Sequence, residues 1–289
     1  MAALDVGIDT ATVTPVRKSR RVGGLFIASV AWIALVALGA IFANWLPIPS
    51  PTDIDFLGKR APPSWEHWLG NDVLGRDEFS RLVHGGRVSL TVGLLAPVIG
   101  VVIGGALGML AGYFRGRLET FVVGGVDVLL AFPPLVFALA LTTYLGQSVL
   151  NITLVIGILG IPAFTRVARA VTLSLSEREF VTAARALGAT HARILIRELL
   201  PNVALPLAAF FLLGVAVTIV VEGALSFLGL GVPPPTASWG SMIGEGRESL
   251  DIAPRLAFMP ATVMFLTVLA FNVVGDTLRA LTDPRPGAL

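Results

Sequence analysis

The stretch EFVTAARALGATHARILIRELLPN, residues 179–202, is a polar, helix-forming interruption between two apolar runs that are each long enough to cross a bilayer. Ser176 and Glu179 stand in the S-x-x-E relation of a capping box, which predicts a helix starting near Glu177 with Phe180, Ala183, Ala184 and Leu187 on one face. Gly188 ends it, because glycine enters the left-handed, helix-terminating conformation without a Cβ clash. Thr190 can cap a second helix that runs through Leu200 and stops at Pro201. The product is a helix, a glycine bend and another helix. Ala183 and Ala184 leave a shallow surface that a partner's backbone can approach, while Phe180 and Leu187 can fill pockets. On a chain otherwise soluble in lipid, this is a docking knuckle.

The lipid solubility is compositional. Hydrophobic residues make up 55% of the 289, charged residues 14%, and the mean hydropathy is +0.82. Apolar runs of about 20 residues recur, the length a hydrocarbon core requires. Six spans are predicted: Leu25–Leu46, Leu90–Tyr113, Phe121–Thr143, Val149–Thr165 with a polar extension, Val203–Val221 and Ala257–Leu278. The first follows Arg17, Lys18, Arg20 and Arg21 and is longer than the roughly 7–15 apolar residues of a secretory signal, so it reads as an uncleaved anchor. With an inward amino terminus, 14 of the 21 Lys and Arg fall on the inner side, which places both termini and the knuckle in the cytoplasm. The sequence pI near 9.5 follows from that bias, and no base-reading motif accompanies it, so nucleic acid is not an expected partner. Cysteine is absent, which excludes disulfides and thiolate metal sites, and His67, His84 and His191 are too dispersed for a shared metal.

Between the first two spans, residues 47–87 form an external segment in which Asp77 can start a short helix lying on the membrane surface with Phe79, Leu82, Val83 and Gly86 on one face. Span two carries Gly100, Gly104, Gly108 and Gly112 at four-residue intervals with Gly105 beside them, a ridge that permits close helix contact. The same smoothness would suit a sliding contact, so packing and motion are both open readings. Pro133 and Pro134 kink span three and open space near a pathway. Asp127, in the same span, is read as a buried hydrogen-bonding group near the inner interface, with substrate contact as the other reading. After Val221, Glu222 and Ser226 begin a Gly- and Pro-interrupted stretch read as a re-entrant or surface-lying element at the external mouth. Asp276 and Arg279, at i and i+3, can pair at the inner surface.

The 179–202 stretch resembles the EAA loop of permease subunits of ATP-binding-cassette importers, with Thr182, Ala183, Ala184, Gly188, Leu200 and Pro201 at the matching positions. Thr182 stands where that loop usually has Glu, and Glu198 where it has Ile. The run LGNDVLGRDEFSRLVHGGRVSL at 69–90, the block from Glu222 through Ser226–Gly231 to Trp239 and Gly240, and the group Asn272, Gly275, Asp276, Arg279, Asp283, Pro284 and Arg285 are similar to the dipeptide and oligopeptide branch of that family. Ala280 departs from its usual Asp, and Ile161 from its usual Trp.

The resemblance implies an all-α, polytopic membrane protein of six transmembrane helices with a type I, MetI-like ABC permease core. Residues 1–21 would be a cytoplasmic tail, 22–88 the first helix plus external segment, 89–282 a five-helix core with its coupling loop at 176–202, and 283–289 a cytoplasmic tail. It implies ATPase coupling through Phe180, Thr182, Ala183, Ala184, Leu187, Gly188, Leu200 and Pro201, and offers Asp127, Pro133, Pro134, Glu222 and Ser226 as pathway or gate residues. Implied partners are a second, homologous permease chain, two ATPase subunits carrying ATP and Mg, an extracytoplasmic substrate-binding protein and the lipid of a bacterial inner membrane. No cofactor on this chain is expected. Peptides are the implied cargo, with nickel chelates as the alternative. The chain has no GxxxxGK[ST] phosphate loop, so the energy would come from outside it. A self-contained carrier would show inverted repeats, and none is visible. An intramembrane protease on Asp127 and Asp276 lacks the glycine spacing, since residue 273 is Val.

Overall fold

The computed structural model describes residues 23–282. The tail at 1–21 and the residues Asp283, Pro284 and Arg285 lie outside the described residues. Within them, eleven α-helices follow in order: α1 Gly24–Phe42, α2 Glu78–Ile99, α3 Gly105–Phe114, α4 Gly116–Ala131, α5 Pro134–Leu145, α6 Val149–Ser176, α7 Glu179–Ala186, α8 His191–Arg193, α9 Leu200–Phe227, α10 Trp239–Gly246 and α11 Arg255–Thr282. Among the described residues, five helical runs are long and apolar enough to cross a membrane, and the broken pair α4–α5 makes a sixth.

The ridge of glycines decides how these rods meet. A π turn at Gly100–Gly104 joins α2 to α3, so the two form one 37-residue helix that packs along α6. A Cβ on Gly104 would sit 2.5 Å from the Ile161 carbonyl oxygen, and one on Gly112 2.8 Å from that of Arg169. Backbones this close leave no room for any side chain, so the packing reading of the ridge holds. Around that seam, α9 and α11 complete the bundle, with Phe164, Ala168, Val203 and Leu207 in its core. Helix α1 lies outside, tied to α11 by Trp32 Nε1 donating to Thr267 Oγ1 at 3.1 Å.

The expected bend at Pro133 and Pro134 is present: α4 and α5 meet at 83°, because two consecutive prolines remove two donors and Phe132 and Pro133 turn extended. Three other expectations are corrected. Asp77 does cap a helix, accepting from the Ser80 amide at 2.6 Å, but that helix is α2 itself and no separate surface elbow exists among the described residues. Glu222 and Ser226 do not open an irregular element: they continue α9 to Phe227, and the short helix that follows the Gly- and Pro-rich loop is α10, packed against α9 and α11. Pro201 does not stop a helix. It sits in the first turn of α9, after a π turn at Ile194–Leu199 in which the Leu200 amide reaches the Leu195 carbonyl, five residues back. The wider turn leads continuously from α8 into α9, and proline is tolerated at the first turn, where a missing donor costs least.

Candidate functional site

The hairpin α7–α8 stands at one end of the bundle. Its predicted capping box is not formed: Ser176 is the last residue of α6 and donates to the Thr172 carbonyl at 2.7 Å, so α7 starts at Glu179 behind an extended Arg178. A residue still inside a helix cannot adopt the extended backbone that an N-cap needs. The bend is as predicted. Gly188 takes φ +76°, the Ala189 amide closes on the Ala184 carbonyl and the Gly188 amide on that of Arg185, each at 3.0 Å, which is a Schellman ending. Thr190 then caps α8 through the Arg193 amide at 3.3 Å.

The inner side of the hairpin is apolar. Val181, Ile194, Leu195 and Leu199 close over Tyr113 at the end of α3, with Ala184 half-buried against them. Tyr113 also shares a 2.8 Å hydrogen bond with His191 Nδ1 and lies under the Arg185 guanidinium, 5.3 Å from its ring centre. The outer side presents Phe180, Thr182 and Ala183, and Leu187 at 88% exposure. Ala184 therefore faces inward, where the sequence pattern places it on the docking face. Leu200 and Pro201 are exposed at the start of α9, beyond the hairpin. Because nothing lies within 4 Å of Gly188, a side chain there acts only through its backbone. Gly188→Leu is expected to add about 1–2 kcal/mol of left-handed strain and to unseat the bend. Reconstituted transport should fall with membrane insertion intact, while Gly188→Asn, which tolerates that conformation, should retain most of it; equal uptake by the leucine and wild-type complexes would remove the role of the bend.

The other predicted residues separate into two groups. Glu222 and Ser226 lie inside the protein: the Glu222 carboxylate accepts from Ser89 Oγ at 2.9 Å and Ser226 Oγ at 2.6 Å, and Ser89 Oγ also receives the Trp239 amide at 3.2 Å. Glu222 is fully buried, and these contacts tie α2, α9 and the start of α10 together. Asp127 accepts a hydrogen bond from Arg166 of α6 at 2.8 Å, as its hydrogen-bonding reading expects, but it is more than half exposed in this chain, which corrects the expected burial. Glu119 and Arg169 form a second α4–α6 pair. Pro133 and Pro134 are exposed at the break between α4 and α5.

An ionic cluster joins the segment between α1 and α2 to α10, and its long-range half carries no local signature. Arg76 pairs with Asp72 and with Glu245 of α10, both at 2.6 Å, and Arg81 pairs with Glu245 at 2.9 Å, although 169 and 164 residues separate the arginines from that carboxylate. Arg255 at the start of α11 donates to the Leu69, Arg60 and Ala61 carbonyls, and so pins the segment from the other side. His67 and Asp77 meet at 2.8 Å.

Comparison with known proteins fits this architecture. Residues 104–287 match the family model described as binding-protein-dependent transport system inner membrane component. The chain is 39% identical over 290 residues to the glutathione transport system permease protein GsiD of Pectobacterium atrosepticum, covering 99% of this chain and 96% of that one. It is 41% identical over 270 residues to the GsiD of Escherichia coli O6:K15:H31, covering 93% and 89%. An inward-facing structure of the MetNI methionine ABC transporter superposes with a TM-score of 0.58 at 18% identity, over 71% of this chain and 98% of the other, which is a likeness of fold. The transport family has no catalytic role, and with its helical spans, glycine seam and surface hairpin the chain belongs to it, as a multi-pass permease subunit of an ABC importer.

Proposed function

We propose that this permease pairs with a second, similar permease chain and forms with it the route by which peptides, delivered by an extracytoplasmic binding protein, cross a bacterial inner membrane. Near-full-length similarity to glutathione permeases carries the choice of cargo, since glutathione is itself a small peptide. The hairpin α7–α8 is the coupling element. Its outer face of Phe180, Thr182, Ala183 and Leu187 is small and apolar, its inner face is sealed onto Tyr113, and Gly188 fixes the angle between its arms. Two ATPase subunits carrying ATP and Mg would each grip one such hairpin. Moving a two-state pathway from 1:99 to 99:1 needs about 5.5 kcal/mol of differential binding, which nucleotide-driven closure of an ATPase pair can supply. The excess of Lys and Arg on the hairpin side supports a cytoplasmic hairpin and cytoplasmic termini. Asp127, Pro133 and Pro134 remain pathway candidates, because each is exposed on or beside the broken span; Glu222 and Ser226 serve as an internal tie behind the pathway.

Two measurements test this reading. ATP hydrolysis by the reconstituted complex should rise when binding protein and peptide are added together, and a complex insensitive to every peptide tried would remove peptides as cargo. Ala183→Asp should weaken retention of the ATPase in a pull-down about tenfold, by burying an unpaired charge in the docking face. Ala183 is the better probe because a charge at Ala184 would also disturb the hairpin's own core. Unchanged retention would place the docking face elsewhere.

A further inference from the structure

The hairpin stands at the mouth of an open cavity of about 670 Å³ between α6, α9 and the end of α11. Its walls run from Val167 to Arg178 on α6 and its following turn, and from Asn202 to Leu213 on α9, so it reaches ~16 Å into the bundle from the hairpin end at 1.5 Å per residue. The deep part is apolar, with Val167, Phe210 and Leu213. The mouth is polar: Ser174, Arg178, Asn202 and Arg279 line it, and among the described lining residues there is no carboxylate. Glu177, beside Arg178 in the chain, is turned to Arg115 at 2.7 Å. Among the described residues, no carboxylate lies within ion-pair distance of Arg178. Arg178 and Asn202 also bracket the hairpin, being the residues on either side of 179–201, so any push on the hairpin acts directly on the two walls.

We propose that this cavity is a solute-binding section of the transport route, and that Arg178 holds the free carboxylate of the cargo there. The proposal rests on the reading of the chain as a peptide permease. A cavity of 300–1,000 Å³ is the size that holds a small organic ligand, with apolar walls for side chains and a few polar groups to orient it. A planar guanidinium matches a carboxylate in a two-pronged hydrogen bond. A peptide leaving toward the hairpin side meets that guanidinium at the mouth, before it enters the aqueous phase.

The test uses the absence of cysteine from this chain. In the complete, nucleotide-free complex, Ser174→Cys is labelled with a charged, membrane-impermeant thiol reagent, and the label on this chain is read by mass. Scavenging of the reagent by the glutathione thiol is avoided by using S-methylglutathione, a dipeptide and the carboxamide of the same dipeptide as protecting solutes. The free acids should protect the introduced thiol at concentrations at least tenfold lower than the carboxamide, and Arg178→Gln should abolish that preference while Arg178→Lys restores part of it. Equal protection by acid and amide, protection by neither, or a thiol that never reacts because a partner chain or lipid fills the cavity would each overturn the assignment. ATPase docking is read separately by the Ala183→Asp pull-down. Loss of protection in a complex that still retains its ATPase therefore counts against the cavity alone.

Discussion

Glu245→Ala is expected to loosen the segment between α1 and α2 by about 3 kcal/mol, which raises the population of its open form roughly a hundredfold. Glu245 is the shared anion of two buried cations. Arg81 is 1% exposed, its Nη1 has no hydrogen-bond partner, and its Nε lies 3.3 Å from Asp72 without hydrogen-bond geometry. Its two hydrogen bonds to carboxylate both end on Glu245. Arg76 keeps Asp72 after the substitution, whereas Arg81 is left with that longer contact and the neighbouring buried carboxyl of Glu78, without a carboxylate in hydrogen-bond geometry. Breaking one partner of a buried pair costs more than the pair itself contributes, because the survivor stays charged and dry. The low end of the usual range applies because Glu245 is 30% exposed and water can reach the vacancy. Limited proteolysis within residues 50–77 measures the opening directly. Cleavage should accelerate by about two orders of magnitude while ATPase retention, which depends on the opposite end of the bundle, stays unchanged; cleavage at the wild-type rate would show that Arg255 and its three carbonyl contacts hold the segment unaided.

That cluster also marks where reading the chain locally stops. The spans were legible because their signal is compositional, and a run of 20 apolar residues means the same in any context. The Gly188 bend and the Thr190 cap were legible because both follow from short-range backbone rules acting within five residues. Ser176 was misread through the same rules: S-x-x-E signals a helix start only where the chain is free to be extended, and α6 was already occupying Ser176. Pro201 failed for a related reason, since a π turn has no sequence signature that distinguishes it from an α-helix about to end. Glu222 is the clearest limit. A glutamate after an apolar run looks like the exit from the membrane, yet here it stays inside the protein, with its carboxylate held by Ser226 one turn on and by Ser89, 133 residues away. Arg76, Arg81 and Glu245 are ordinary surface residues by composition and become a core only when α10 folds back onto α2. Of the coupling surface, the exposed half of α7 was readable from helical periodicity. The inward turn of Ala184 was not, because it depends on Tyr113, a residue at the end of another span.

Gly108→Leu is expected to lower the yield of monodisperse complex more than tenfold, the largest effect of any single substitution in the membrane-embedded region. The position meets backbone on its far side: a Cβ would lie 2.3 Å from the Thr165 carbonyl oxygen and 2.8 Å from the Ala168 Cβ. Neither can rotate away, so α3 and α6 must separate along their whole seam, and the contacts at Gly104 and Gly112 are lost with it. Overpacking a core ordinarily costs about 1–3 kcal/mol when neighbouring side chains can yield, and here the neighbour is a helix backbone. The substitution makes the span more apolar, so insertion itself should proceed and the failure should appear afterwards, as aggregated or degraded chain. Gly105→Ala is the control. It lies on the same helix, but its added Cβ would meet only the tip of Leu207 at 3.3 Å, a flexible group, and it should express like the wild type. Matching losses at both positions would mean that helix propensity, not the seam, decides. The seam also supports the hairpin, since α3 ends beside Tyr113, on which the hairpin rests, and α6 ends where the hairpin begins. Two helices locked through glycine meet the hairpin together, so under the proposed coupling role of Phe180 and Leu187 a residue that separates α3 from α6 would cost transport as well as fold.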